Sequence, residues 1–216
     1  MEKGLNFRTQ TGQEEYFKVY DKSLTLWTIP FIEKYIDTSY GKTHIIICGN
    51  SNSKPLVLLH AASCGSTIWY KNVVSLSKKY YIYAIDLITE SSKSILTRKI
   101  TTPNENADWL NEVFDKLLFD RIYLCGLSIG GWTAANYVSV YPDKVEKLIL
   151  LSPVQTFAKM HAAFFFKIMK MGINPTRKNI ENYIDWGETK EASLPDSIIE
   201  QFILSVMNIN SNAAFP

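Results

Sequence analysis

The chain has 216 residues, enough for one sizeable hydrophobic core. Apolar residues make up 46% and charged residues 20%, and 23 Lys and Arg against 21 Asp and Glu leave a formal charge of +2. Charges so evenly mixed exclude a dedicated nucleic-acid binder, whose basic residues would cluster, and no segment is long and apolar enough to suggest a bilayer span.

The opening MEKGLNFRTQTGQEEY has no apolar h-region, so no signal peptide is expected and a cytoplasmic protein is the default. Residues 12 to 27 read as a helix, with Tyr16, Tyr20, Leu24 and Trp27 at helical spacing and Pro30 beyond. Two strands, FIEKYIDTS and THIIICG, follow as a hairpin around Gly41. PLVLLH, from residue 55, is a continuous apolar run, as in a strand covered on both faces. TIWYKNVVSLSKK predicts a helix and YYIYAID a strand ending at Asp86. A polar loop rich in serine and threonine leads to a helix over about 104 to 119, with Pro103 placed at its start. Then come the strand RIYLCG, a helix from Ile129 to Val140 and the strand KLILLSP. Residues 155 to 205 read as helices with turns at 172–175 and near Pro195.

Alternating strands and helices with apolar strands predict an α/β fold, a mostly parallel twisted sheet with helices on both faces. Ligands of such sheets gather at the carboxyl ends of the strands, where His60, Ser63, Asp86 and Ser128 fall. The expected organisation is a core over residues 1–154 and a helical cap segment over 155–216. Cys48, Cys64 and Cys125, odd in number and without metal-ligand spacing, read as reduced and mostly buried. No P-loop, dinucleotide fingerprint or zinc cluster is present, so neither cofactor nor metal is expected.

The stretch RIYLCGLSIGGW carries the chemistry. A strand ending in Gly126-Leu127-Ser128-Ile129-Gly130 and turning straight into a helix has the pattern of a nucleophile elbow. The serine hydroxyl would be thrust out above the sheet, with glycines where strand and helix pack too closely for side chains. The plainer alternative is a tight turn whose serine only caps the helix.

From about residue 30 to 160 the chain resembles the α/β-hydrolase superfamily, more narrowly its carboxylesterase-like members. PLVLLHAASCGSTIWY is similar to the strand, oxyanion loop and downstream Trp of these enzymes. YYIYAIDLITESSKS is similar to their strand, Asp and Gly-rich loop. CGLSIGGWTAANYVSVYPDKVEKLILLSP looks like elbow, helix, Tyr-Pro turn and next strand. The resemblance implies Ser128 as nucleophile and the backbone N–H groups of Ala62 and Ile129 as the oxyanion hole. His60 would shape the oxyanion loop and Asp86 would anchor it. Two departures stand out: Ala61 and the Thr89-Glu90-Ser91-Ser92 loop, where the family usually carries glycine.

In this fold the triad follows the order Ser, Asp or Glu, His. The only histidine after Ser128 is His161, in FAKMHAAFFFKIMKMG, where it shares a face with Phe157, Phe164, Phe165 and Ile168 and reads as part of a helix packed on the sheet. Asp185, Glu188 and Asp196 are carboxylates with nothing tying them to a histidine. The resemblance therefore implies the N-terminal two-thirds of such a hydrolase, stopping within the cap after the sixth strand. KLILLSP would then be a sheet edge prone to self-association. Three functions stay open: a serine hydrolase of small ester or acyl substrates, weakly active or inactive in this chain; a non-catalytic remnant or binding module keeping the fold; and a non-hydrolytic relative using the same scaffold.

Overall fold

The computed structural model describes residues 3–187 and 193–210. The first helix, α1, spans Gln10–Leu24. It starts two residues earlier than its apolar spacing indicates, because the Thr9 hydroxyl accepts the Gly12 N–H at 3.0 Å and caps it. It stops at Leu24, and Trp27 is carried by a turn into the core, where its indole donates to the Thr67 carbonyl.

The hairpin is β1, Phe31–Thr38, and β2, Gly41–Cys48, paired antiparallel. The remaining long strands are β3, Pro55–Leu59, β4, Tyr81–Ile85, β6, Ile122–Leu127, and β7, Val145–Leu151. A two-residue strand, β5, Ile95–Leu96, pairs with Gly41 and Lys42. It lies inside the expected polar loop and is too short to leave an alternating pattern, so KLILLSP supplies the seventh strand of the chain and not the sixth. The sheet order is β1-β2-β4-β3-β6-β7, with β4, β3, β6 and β7 mutually parallel and β7 at one edge.

Both faces of the central strands are covered. All four apolar residues from Leu56 to Leu59 are buried. Val57 and Leu59 point to one core, shared with α3, Pro103–Lys116, and α4, Ile129–Val140. Leu56 and Leu58 point to the other, shared with α1 and α2, Tyr70–Leu76. The second face is entered through a single 3-10 turn, Ser66–Trp69, at a place where the sequence suggests one continuous helix. Trp109, Phe114 and Tyr137 are fully enclosed in the first core, each worth about 1.5–3 kcal/mol as a buried apolar side chain. The Trp109 indole is also satisfied, donating to the Thr43 hydroxyl at 2.8 Å. Thr102 and Glu105 close a reciprocal capping box at the start of α3.

After β7 come α5, Ala162–Ile173, α6, Arg177–Gly187, and α7, Asp196–Asn208. The segment FAKMHAAFFFKIMKMG is helical only from Ala162, since His161 caps α5 by accepting the Ala163 N–H. Phe157 thus precedes the helix and is exposed, and does not share the inner face with Phe164 and Ile168. Helix α7 is tied to the core: Gln201 donates to the Tyr16 hydroxyl and the Cys64 carbonyl and accepts from the Thr67 hydroxyl. Arg8 N–H reaches the Asn208 carbonyl, and Phe7 bridges Ile209. Among the described residues no helix is long and apolar enough to cross a membrane. Glu188 lies outside the described residues.

Candidate active site

Parallel pairing brings the functional positions to one edge. Leu59 stands opposite Ile85 and Gly126, and Leu127 opposite Leu151. The residues that follow the first three of these strands, His60, Asp86 and Ser128, therefore emerge side by side at the carboxyl end of the sheet.

Ser128 joins β6 to α4 with φ 55° and ψ −114°. An L-residue adopts such a backbone only when its surroundings enforce it. Here they do: the Ser128 N–H donates to the Leu151 carbonyl at 2.9 Å, and its own carbonyl accepts from Trp132 and Val154. The side chain makes no capping hydrogen bond to the helix, which removes the plain N-cap alternative. The flanking glycines permit the turn through space. A Cβ on Gly130 would stand 2.6 Å from the His60 carbonyl oxygen and closer still to that of Leu59; one on Gly126 would run into the backbone of Gly130 and Gly131. Helix α4, strand β6 and the end of β3 meet backbone to backbone at this point.

The Ser128 side opens on a cavity of about 410 Å³. Ala62 and Ile129 line it with Ser128, as do Ala61, Ser63, Cys64 and Glu90 from the two loops below. Above, Val154 from the turn after β7, with Phe164, Ile168, Met171, Tyr183 and Phe202 from α5, α6 and α7, makes an apolar wall. The size and the mostly apolar lining suit a small organic ligand.

The loops below are fixed by buried polar groups. Asp86 is fully buried. Its Oδ1 accepts from the Tyr20 hydroxyl at 3.1 Å and the Ser66 N–H at 2.8 Å, and its Oδ2 from the Lys93 N–H at 3.1 Å. His44 Nδ1 adds a fourth contact to Oδ2 at 3.0 Å. Burial alone would raise this carboxyl, yet the His44 and Ser66 hydrogen bonds hold it below the ordinary carboxylate range. His60 is equally committed: Nδ1 donates to the Ala61 carbonyl at 2.7 Å and Nε2 accepts the Leu87 N–H at 2.9 Å. Those two bonds define one tautomer and leave neither ring nitrogen for the Ser128 hydroxyl. The Ser/Thr loop after Asp86 is buried from Thr89 to Ser94 and not solvated, because its own hydroxyls and Asn6 satisfy the backbone.

The place of Glu90, Tyr183 and Phe202 in the cavity lining is not evident from the sequence. Glu90 was visible only as a carboxylate in place of a family glycine. The two aromatics lie on helices whose rotation about the sheet no local pattern encodes. Burial pushes the Glu90 carboxyl above its ordinary value, opposed by the Ser63 N–H that it accepts. Burial also pushes the Cys64 thiol up to about 12, so it stays protonated and inert.

A mixed sheet ordered in this way, with a serine held in that turn at its carboxyl edge, defines the architecture of an α/β hydrolase. The model of the alpha/beta hydrolase fold family matches residues 54–176, and the chain belongs to this family of enzymes. It is 36% identical over 209 residues to the uncharacterized carboxylesterase nap of Bacillus subtilis, covering 93% of this chain and 68% of that protein. It is 33% identical over 183 residues to carboxylesterase YbfK of the same organism, covering 84% of this chain and 60% of that one. Among solved structures it is similar to naproxen esterase of B. subtilis, with a TM-score of 0.87 and 34% identity over 93% of this chain and 69% of that one. The chain thus spans 68% and 60% of the length of these two curated relatives.

Proposed function

We propose that Ser128 is the nucleophile of a serine hydrolase that cleaves carboxylic esters, with the N–H groups of Ala62 and Ile129 as oxyanion donors. The left-handed backbone of Ser128, uncapped and facing the cavity, carries this reading. Attack on the ester carbonyl would form the Ser Oγ–C bond while the hydroxyl proton passes to a base, and collapse of the tetrahedral anion would expel the alcohol and leave an acyl-enzyme for water to cleave. Two backbone donors aimed at the developing oxyanion are worth roughly 3–4 kcal/mol each in a low-dielectric site. The carboxylesterase names of the relatives support the ester class.

Among the described residues no histidine is placed to take this proton. His60 is spent on its loop, and His161 is exposed at the start of α5 with Nδ1 accepting a backbone N–H. We therefore take residues 1–154 as the hydrolase core and 155–216 as a cap segment, with the acid and histidine belonging to the third of the relatives that this chain does not match. Turnover by these 216 residues alone would be low, since loss of a triad histidine costs on the order of a millionfold. A remnant that only binds is the second reading, and the same missing base favours it.

Long incubation with an activated fluorophosphonate, followed by peptide mass mapping, tests the assignment. The expected result is slow phosphonylation of Ser128, absent in Ser128→Ala. An adduct on another serine, or none at all, would overturn the nucleophile assignment. Rapid labelling would show that a base is present.

A further inference from the structure

We propose that the cavity beside Ser128 takes an ester whose apolar body carries an ammonium group, and that Glu90 is the carboxyl that recognises it. This rests on the reading of the cavity as an ester site and adds the charge of its ligand. Glu90 is 7% exposed and lines the cavity. Its Oε2 accepts the Ser63 N–H at 3.0 Å. Among the described residues its Oε1 has no hydrogen-bond partner, and Glu90 joins no ion pair.

Among the described residues no lysine or arginine pairs with it. The hydrogen bonds of His60 are those of a neutral ring. Burial keeps the Cys64 thiol and the Tyr16 and Tyr183 hydroxyls protonated. Lys93, three positions along, turns its ammonium to Asp21 and Glu33. A buried carboxyl without a cation is protonated or waits for one. The bound ammonium would supply it: the carboxyl releases its proton to solvent and the carboxylate pairs with the ligand cation, so charge and atoms balance. Phe164, Tyr183 and Phe202 make the opposite wall aromatic, and aromatic surroundings favour a cation over a neutral group. An anionic ligand would meet repulsion at the same place.

The test compares 4-phenylbutylamine with 4-phenylbutan-1-ol by titration calorimetry on the 216-residue chain. The amine is expected to bind about tenfold more tightly at neutral pH, the range of one charge-assisted hydrogen bond. Its advantage should shrink as pH falls through the carboxyl range, while alcohol binding stays level. Glu90→Gln retains an acceptor for the Ser63 N–H and should bring the amine down to the alcohol. Should that variant fail to fold, the pH dependence of the wild-type preference decides. Equal affinities, no binding of either compound, a preference that survives Glu90→Gln or one indifferent to pH would each overturn the proposal. None of these results touches the ester chemistry of Ser128, which phosphonate labelling reads separately.

Discussion

The His44 ring stands between two carboxylates, its Nδ1 3.0 Å from Asp86 Oδ2 and its Nε2 2.9 Å from Glu33 Oε2. His44 and Asp86 are fully buried, and Glu33 is bound in turn by the Lys93 ammonium at 2.6 Å. Both ring nitrogens face acceptors, so the imidazolium is the form this site holds. Burial works against the charge, but the two hydrogen bonds outweigh it and leave the His44 pKa above 6.5. A raised folded-state pKa stabilises fully below the unfolded value and is lost as pH rises through the folded one. The melting temperature gap between wild type and His44→Gln should therefore be widest below about pH 6.5 and narrow at higher pH. A gap that widens with rising pH would show a neutral ring. Replacement by leucine, which removes the cation beside buried Asp86, should cost about 3–5 kcal/mol in urea unfolding.

Glu33 works in the opposite direction on the pH axis. Hydrogen bonds from His44 and Lys93 bring its carboxyl down from 4.5 to about 2, against partial burial. A lowered carboxyl stabilises above its unfolded value and is lost as pH falls through the folded one. Glu33→Gln should thus match wild type near pH 2 and trail it above pH 4.5. Circular-dichroism melts across that range check this, and a constant deficit would remove the ionic component.

Backbone strain at Ser128 has a cost in stability. A non-glycine residue at φ 55° and ψ −114° carries about 1–3 kcal/mol. Ser128→Gly should relieve part of it and raise the unfolding midpoint above that of Ser128→Ala, which keeps a Cβ. Equal midpoints for the two variants would mean that the turn is unstrained.

Gly130→Ala should do the reverse. The added methyl meets the carbonyls of Leu59 and His60, which are backbone atoms of a central strand and its exit. Overpacking of that kind costs about 1–3 kcal/mol. Denaturant unfolding measures it, and a change below about 0.5 kcal/mol, the range of an ordinary surface substitution, would mean that α4 shifts freely.

Strand β7 should drive self-association. Leu148, Ile149 and Leu151 are each well over a third exposed, and Ile149 and Leu151 border an apolar hollow of about 300 Å³ with Leu56, Leu58 and Trp69. Static light scattering should show association that Ile149→Lys reduces. A monodisperse monomer at high concentration would count against it.

Much of this molecule was legible in its residues. The strand runs PLVLLH, YYIYAID and RIYLCG each bury both faces, so unbroken apolar character located them. The Gly126–Gly130 pattern located the turn because only hydrogen side chains fit there. What stayed hidden depends on distance in sequence. His44 reads as one polar residue in an apolar strand, and its carboxylates come from positions 33 and 86. Gln201 gives no sign that it will reach Tyr16 and Thr67. Glu90 shows as an oddity in a loop; its meaning comes from helices more than seventy residues later.

The clasp between Phe7 and Ile209 joins parts of the chain separated by nearly its whole described length. A contact of such span forms only after the intervening segments have been arranged, so α7 should be among the last elements to dock and slow refolding is expected. The same clasp holds α7, and with it Phe202, as a fixed wall of the cavity beside Ser128, so that wall should persist until the core itself opens.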